Sequence, residues 1–215
     1  MSTVTSNPAR TDLTPTEAGH PDRTTPSRAW ALAGVGAGLL GAATVVLSGA
    51  ADAMADGSAP RLALHSVTGL SAVLLLLFAA GLHRRLRTAA PDSLGPVVSL
   101  VGLAGTAVVS ILASGLDTEF ALTGGDVRVD DATAAFRGHG TGTIAWLWTL
   151  AGPAGLAVFA VSRGGGVARW QGRVGLVLGG LTVLLGVSPM DHVAGLTGVL
   201  WVLVASLGFA LGERR

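Results

Sequence analysis

Three of the chain's five histidines, His65, His139 and His192, share a setting: each follows a segment carrying Asp or Glu and opens a long apolar run. Imidazole nitrogens backed by carboxylates suit Zn, Cu or Fe, and three nitrogen ligands with one open position would make a catalytic zinc centre. On this reading the candidate metal ligands are His65, His139 and His192 together with Asp117, Glu119 and Asp191, and the expected ion is a divalent metal such as zinc. The same groups could relay protons, since imidazole titrates near neutral pH, or hold a polar substrate. His65 is the strongest of the three because it lies one helical turn beyond Arg61, among apolar neighbours, where an ionisable group is a functional hypothesis by default. The plainer reading is that histidines tolerate membrane interfaces and that acidic outer loops are ordinary. His83 precedes Arg84 and Arg85 and reads as part of a charged rim; His20 is assigned no role.

Other chemistries find little support. The chain has no Cys, which excludes disulfides, thiolate metal sites and cysteine nucleophiles. It contains no Gly-Lys-Ser/Thr phosphate loop, no His-Glu-x-x-His pair and no Gly-x-Ser-x-Gly elbow. His65 and His83 fall at opposite ends of one run, a poor arrangement for joint haem ligation. No carboxylate stands in the middle of an apolar run, which argues against an ion-coupled carrier. A net charge of +1 gives no reason to expect a nucleic-acid partner.

The elements that must position these residues are long apolar helices. Half of the 215 residues are apolar and only 13% are charged, against about 25% in a typical soluble domain, and the charges cluster at the ends of uncharged runs. About 20 apolar residues at 1.5 Å each cross the ~30 Å hydrocarbon layer. Runs of that length occur at Ala29 to Ala51, Leu62 to His83, Ser93 to Leu116, Gly138 to Ser162 and His192 to Gly212. A sixth, Val174 to Met190, is shorter at 17 residues, and Arg173 could snorkel to extend it; a re-entrant segment is its alternative. The expected fold is an all-α, polytopic transmembrane bundle of six helices spanning residues 29–215. Residues 1–28, rich in Thr, Pro and Ser, read as a disordered tail, not as a cleaved secretory signal.

Arginine placement gives the bundle a polarity. The tail and the loops on one side hold Arg10, Arg23, Arg28, Arg84, Arg85, Arg87, Arg163, Arg169, Arg173, Arg214 and Arg215, while the other side holds only Arg61, Arg128 and Arg137. By the positive-inside rule both termini are cytoplasmic. Trp30 and Trp170 then fall at the inner boundary and Trp146 and Trp148 near the outer one, as interfacial anchors; Trp201 lies deeper, with its N–H toward another helix. Gly34 with Gly38 and Gly175 with Gly179 mark packing seams, and small-residue faces also allow a homo-oligomer. The outer segment from Leu116 to about Arg137 should leave the third helix at Leu116–Phe120, turn at Gly124-Gly125 and form a short helix over Asp130 to Phe136. A weak repeat pairs His65-Ser-Val-Thr-Gly69-Leu70-Ser71 with His192-Val-Ala-Gly195-Leu196-Thr197.

At Leu116–Phe120, Gly140–Trp148 (GTGTIAWLW) and Gly179–Pro189 (GGLTVLLGVSP), the chain resembles a group of small actinobacterial six-span membrane proteins with no assigned activity, over about Trp30 to Arg215. The resemblance implies a bacterial cytoplasmic (inner) membrane location and carries over no catalytic residue. The function expected is that of a non-enzymatic helical bundle in the lipid bilayer: a partner, sensor or passive-transport subunit. The alternatives are an outward-facing metal-binding protein or metal-dependent enzyme using the His/carboxylate cluster, and a small-solute transporter with a midplane site between repeats.

Overall fold

The computed structural model describes residues 28–53, 58–123, 147–190 and 193–212. Among them every regular element is helical. The helices are α1 (Ala29–Ala53), α2 (Ser58–Ala89), α3 (Gly95–Thr123), α4 (Ala151–Arg163, led in by a 3-10 turn at Leu147–Leu150), α5 and α6 (Ala194–Leu211). The α5 rod is built of Arg169–Val174, a π turn at Gly175–Gly179 and Gly180–Gly186 without interruption. Four helices are long and apolar enough to cross a membrane, over Ala29–Ser48, Leu62–Ala89, Gly95–Leu116 and Ala194–Leu211.

Local chemistry explains most of the boundaries. The α2 helix starts earlier than its apolar run because Pro60 is tolerated in a first turn, and it stops at Ala89, two residues before Pro91. Ser93 Oγ accepts the Gly95 N–H at 3.0 Å, satisfying one of the orphan donors at the start of α3. The α4–α5 connection is a run of glycines in which Gly165 takes φ +79°, a left-handed conformation open to Gly. Gly212, at φ +82°, ends α6, and the Arg28 guanidinium donates from Nη1 to the Ala210 carbonyl at 3.2 Å, placing a cation at that helix C-terminus.

One expected boundary differs. Leu116–Phe120 does not leave the third helix, which continues to Thr123. No proline intervenes, and Thr118 bonds back to the Ser114 carbonyl at 2.8 Å, a hydroxyl contact compatible with helix. The expected turn at Gly124-Gly125 and the short helix at Asp130 to Phe136 lie outside the described residues.

Each helix packs against its chain neighbours and α6 returns to α1, so the six rods close a ring. Consecutive rods run antiparallel: the start of α2 meets the end of α3 at His65–Ser114, while its end meets the start of α3 at His83–Pro96. Gly38 lies against Leu203 and Gly41 against Val199, so α1 and α6 also oppose. The inside is filled by Leu75, Phe78, Leu103, Val158, Trp201 and Val202. The outside is apolar as well: Leu32, Val46, Leu77, Val101, Leu112 and Leu184 are all exposed. A water-soluble bundle would set polar residues there. Apolar faces inside and out are what lipid requires.

The glycine seams face helices of the same chain. A Cβ on Gly34 would meet Ser206 at 2.6 Å, and one on Gly179 would lie 2.9 Å from the Gly155 backbone. Trp30 stacks on Phe78 (centroids 5.9 Å) and tilts against Phe209 (5.4 Å), locking α1, α2 and α6 at one end. Trp148, expected as an interfacial anchor, is instead 3% exposed. The 3-10 turn carries it inward against Gly41 and Gly198, whose missing side chains leave room for an indole.

Candidate functional site

His65 stands in the second turn of α2 and is half-buried. Its Nδ1 lies 3.0 Å from Ser114 Oγ and 3.2 Å from the Ser114 carbonyl oxygen, both on α3. If the ring proton is on Nε2, Nδ1 accepts the Ser114 hydroxyl; if it is on Nδ1, that N–H donates to an oxygen of Ser114. In either tautomer Nδ1 is tied to α3, and Nε2 is the ring atom left for a second ligand. The surrounding polar groups are satisfied locally. Thr44 and Thr68 hydroxyls meet at 3.2 Å between α1 and α2, and Ser71 Oγ donates across to the Ala37 carbonyl at 2.9 Å. Thr106 and Ser110 bond back to carbonyls four residues earlier.

His83 uses the same device at the opposite end of α2, with Nδ1 2.9 Å from the Pro96 carbonyl oxygen. The α2–α3 seam is therefore held by a histidine at each end. The separation of His65 from His83 along one helix is as the sequence implies.

Of the other candidate ligands, Glu119 is exposed on the final turns of α3, at the same end as His65. Asp117 lies on that helix, with its side chain outside the description, and His139, Asp191 and His192 lie outside the described residues. The first turn of α6, which begins at Ala194, is at the His65 end. Among the described residues no three His, Asp or Glu side chains converge on a point that would hold a metal.

The opposite end gathers cations: Arg28, Arg84, Arg85, Arg87, Arg163, Arg169 and Arg173 all stand at the ends of rods that meet there. Just inside this basic rim is a residue the sequence reading passed over. Gln171, the chain's sole glutamine, is 2% exposed, and among the described residues neither its amide nitrogen nor its carbonyl oxygen has a hydrogen-bond partner. It stands between Arg169 and Arg173 in the sequence. Its being the one amide in an apolar helix was the signal. Trp201 Nε1 is likewise buried without a partner, beside Gly155, where a Cβ would come within 2.9 Å of it. The N–H faces another helix, α4, as expected, but finds no hydrogen-bond partner among the described residues. Such groups cost about 1–3 kcal/mol each when left unpaired.

The π turn at Gly175–Gly179 lies one turn beyond Gln171. It faces α4 through backbone: a Cβ on Gly155 would sit 2.8 Å from the Gly175 carbonyl, and one on Gly152 would sit 2.7 Å from the Gly179 carbonyl. Two helices this close leave no room for side chains between them.

Fold and surface together define the class, an all-helical bundle with four helices long and apolar enough to cross a membrane. Comparison with protein-family models, with curated proteins and with solved structures gives no match.

Proposed function

We propose that the chain is a multi-pass protein of the bacterial cytoplasmic membrane, with all six rods embedded, the Arg-rich end and both termini cytoplasmic, and the His65 end outside. Its role is non-enzymatic: a membrane-embedded partner or sensor subunit that acts through its surfaces. The observation that carries this reading is the filled midplane. Leu75, Phe78, Leu103, Trp201 and Val202 occupy the interior, and the Ser and Thr hydroxyls near them pair with backbone carbonyls or with one another, Thr44 with Thr68 and Thr182 with Thr197, so among the described residues no row of free polar groups lines a path across it. The segregation of the arginines supports the orientation, and the resemblance to small actinobacterial six-span proteins supports the location.

The test is flux. Proteoliposomes should equilibrate protons and small neutral solutes at the rate of empty vesicles. A protein-dependent rate that changes when Leu75 or Trp201 is replaced would overturn the reading in favour of a conduit.

A second reading keeps the zinc site, because His65 is held by Nδ1 with Nε2 left for a ligand at the end where α6 begins. It requires His139, His192 and a carboxylate among Asp117, Glu119 and Asp191 to join it. Metal analysis of detergent-purified wild type and His65→Ala decides: stoichiometric zinc lost in the variant supports the site, and no bound metal in either sample eliminates it.

A further inference from the structure

At the basic end, between α5 and α6, an open groove of about 560 Å³ is lined by Trp170, Val204, Leu207, Gly208, Leu211 and Gly212. It combines three features that a plain lipid-facing surface lacks. First, it has a cation at its mouth. Arg28 reaches across from α1, and a Cβ on Gly212 would lie 3.0 Å from Arg28 Nη2. A guanidinium has five N–H donors; one is given to the Ala210 carbonyl, so others remain for an anion. Second, one wall is the half-exposed indole of Trp170, flanked by exposed Arg169 and Arg173, the residue type that settles at the headgroup level. Third, an amide with no partner among the described residues lies behind its wall. A Cβ on Gly208 would come 2.5 Å from Gln171 Nε2 and 2.6 Å from the Trp170 ring edge, so the lining residue Gly208 is in direct contact with the buried amide.

The polarity of the groove follows the bundle axis. Its charged mouth, at Gly212 and Arg28, is at the rim, and its apolar floor runs inward along Leu211, Leu207 and Val204. An amphiphile with a phosphate head and a hydrocarbon tail matches both parts, and the cation selects a head with net negative charge.

We propose that this groove is a binding site for one anionic phospholipid, its headgroup phosphate on Arg28 and its acyl chain along Leu211, Leu207 and Val204. The proposal rests on the membrane reading above, which is checked separately by whether the protein leaves the membrane only with detergent.

The experiment is native mass spectrometry of the full chain after incubation with vesicles of equal phosphatidylglycerol and phosphatidylcholine. Wild type should retain one phosphatidylglycerol in preference to phosphatidylcholine. Arg28→Gln should lower that retention about tenfold, the worth of one charge-assisted hydrogen bond, while Arg28→Lys keeps most of it. Arg87→Gln, which removes a rim cation on α2 outside the groove, should leave it unchanged. Equal retention of the two lipids by wild type would overturn the site. An equal loss in Arg28→Gln and Arg87→Gln would reduce it to general attraction by the basic rim. Displacement of the lipid by excess inorganic phosphate alone would show an anion site with no lipid specificity and would also overturn it.

Discussion

The two halves of the ring solve the same packing problem differently. In α1–α3 the rods are long, regular α-helices joined through side chains: Phe78 under Gly34, Thr44 on Thr68, Ser71 on the Ala37 carbonyl, His65 and His83 on α3. In α4–α6 the rods are shorter, α4 is led in by a 3-10 turn and α5 contains a π turn, and α4 meets α5 through glycine backbone. The first half satisfies its buried polar groups. The second leaves Gln171 and Trp201 without partners among the described residues. Lipid tails are as apolar as the side chains they would replace, so burying apolar surface does not by itself join helices in a membrane; close packing and polar contacts do. Both halves use close glycine contacts, Gly34 on Phe78 in the first and Gly155 on Gly175 in the second. Among the described residues polar contacts between helices are more frequent in the first, while Thr182 to Thr197 at 2.9 Å joins rods of the second. Close packing gives no partner to an amide or an indole N–H.

Substitutions should separate the two modes. The largest effect is expected at the α4–α5 crossing. Gly155→Leu must push its side chain into the Gly175 carbonyl and the Trp201 ring, and should cost about 3 kcal/mol or prevent assembly, read as loss of folded protein in a detergent unfolding assay. In the first half, Gly69 has nothing within 4 Å of where a Cβ would stand, so Gly69→Ala should stabilise by up to about 1 kcal/mol through helix propensity alone. If the two substitutions behave alike, the contrast fails.

Next in size are the orphaned groups. Gln171→Leu should stabilise the protein by about 1–2 kcal/mol, because it removes two unpaired polar atoms from the interior. Trp201→Phe should be neutral or stabilising by about 1 kcal/mol for the same reason. Destabilisation by either change would mean that the group has a partner, such as bound water, in the folded protein. The smallest effect belongs to the satisfied half. A double-mutant cycle of His65→Ala and Ser114→Ala should give a coupling of about 0.6 kcal/mol, typical of interhelical hydrogen bonds in membranes.

The sequence makes the coarse architecture legible and the fine contacts much less so. The runs at Ala29, Leu62, Ser93 and His192 match helices because twenty uncharged apolar residues have one stable form in lipid, and the glycine pairs at 34/38 and 175/179 pack as seams for lack of a Cβ. The end of α3 is not legible in Leu116–Phe120 because carboxylates can mark a boundary without ending a helix. The place of Trp148 is not legible because it depends on which way the 3-10 turn points the indole. Ser114 is an ordinary helix serine until α2 lies beside it, and Gln171 becomes conspicuous only once both its amide atoms are seen to be buried. Those properties belong to pairs of helices, and one-dimensional spacing does not carry them. Candidate ligands His139, Asp191 and His192 lie outside the described residues.

The central claim is a membrane-embedded bundle with its arginine-rich end in the cytoplasm. Because the chain has no cysteine, single substitutions report position cleanly. Asp92→Cys places a thiol in the exposed α2–α3 loop of the basic end, and Glu119→Cys places one near the end of α3 at the opposite end. In intact spheroplasts, a membrane-impermeant maleimide should label Glu119→Cys at once and Asp92→Cys only after permeabilisation. Labelling of Asp92→Cys in sealed cells with Glu119→Cys protected would invert the orientation, and equal labelling of both without permeabilisation would contradict the membrane-spanning account altogether.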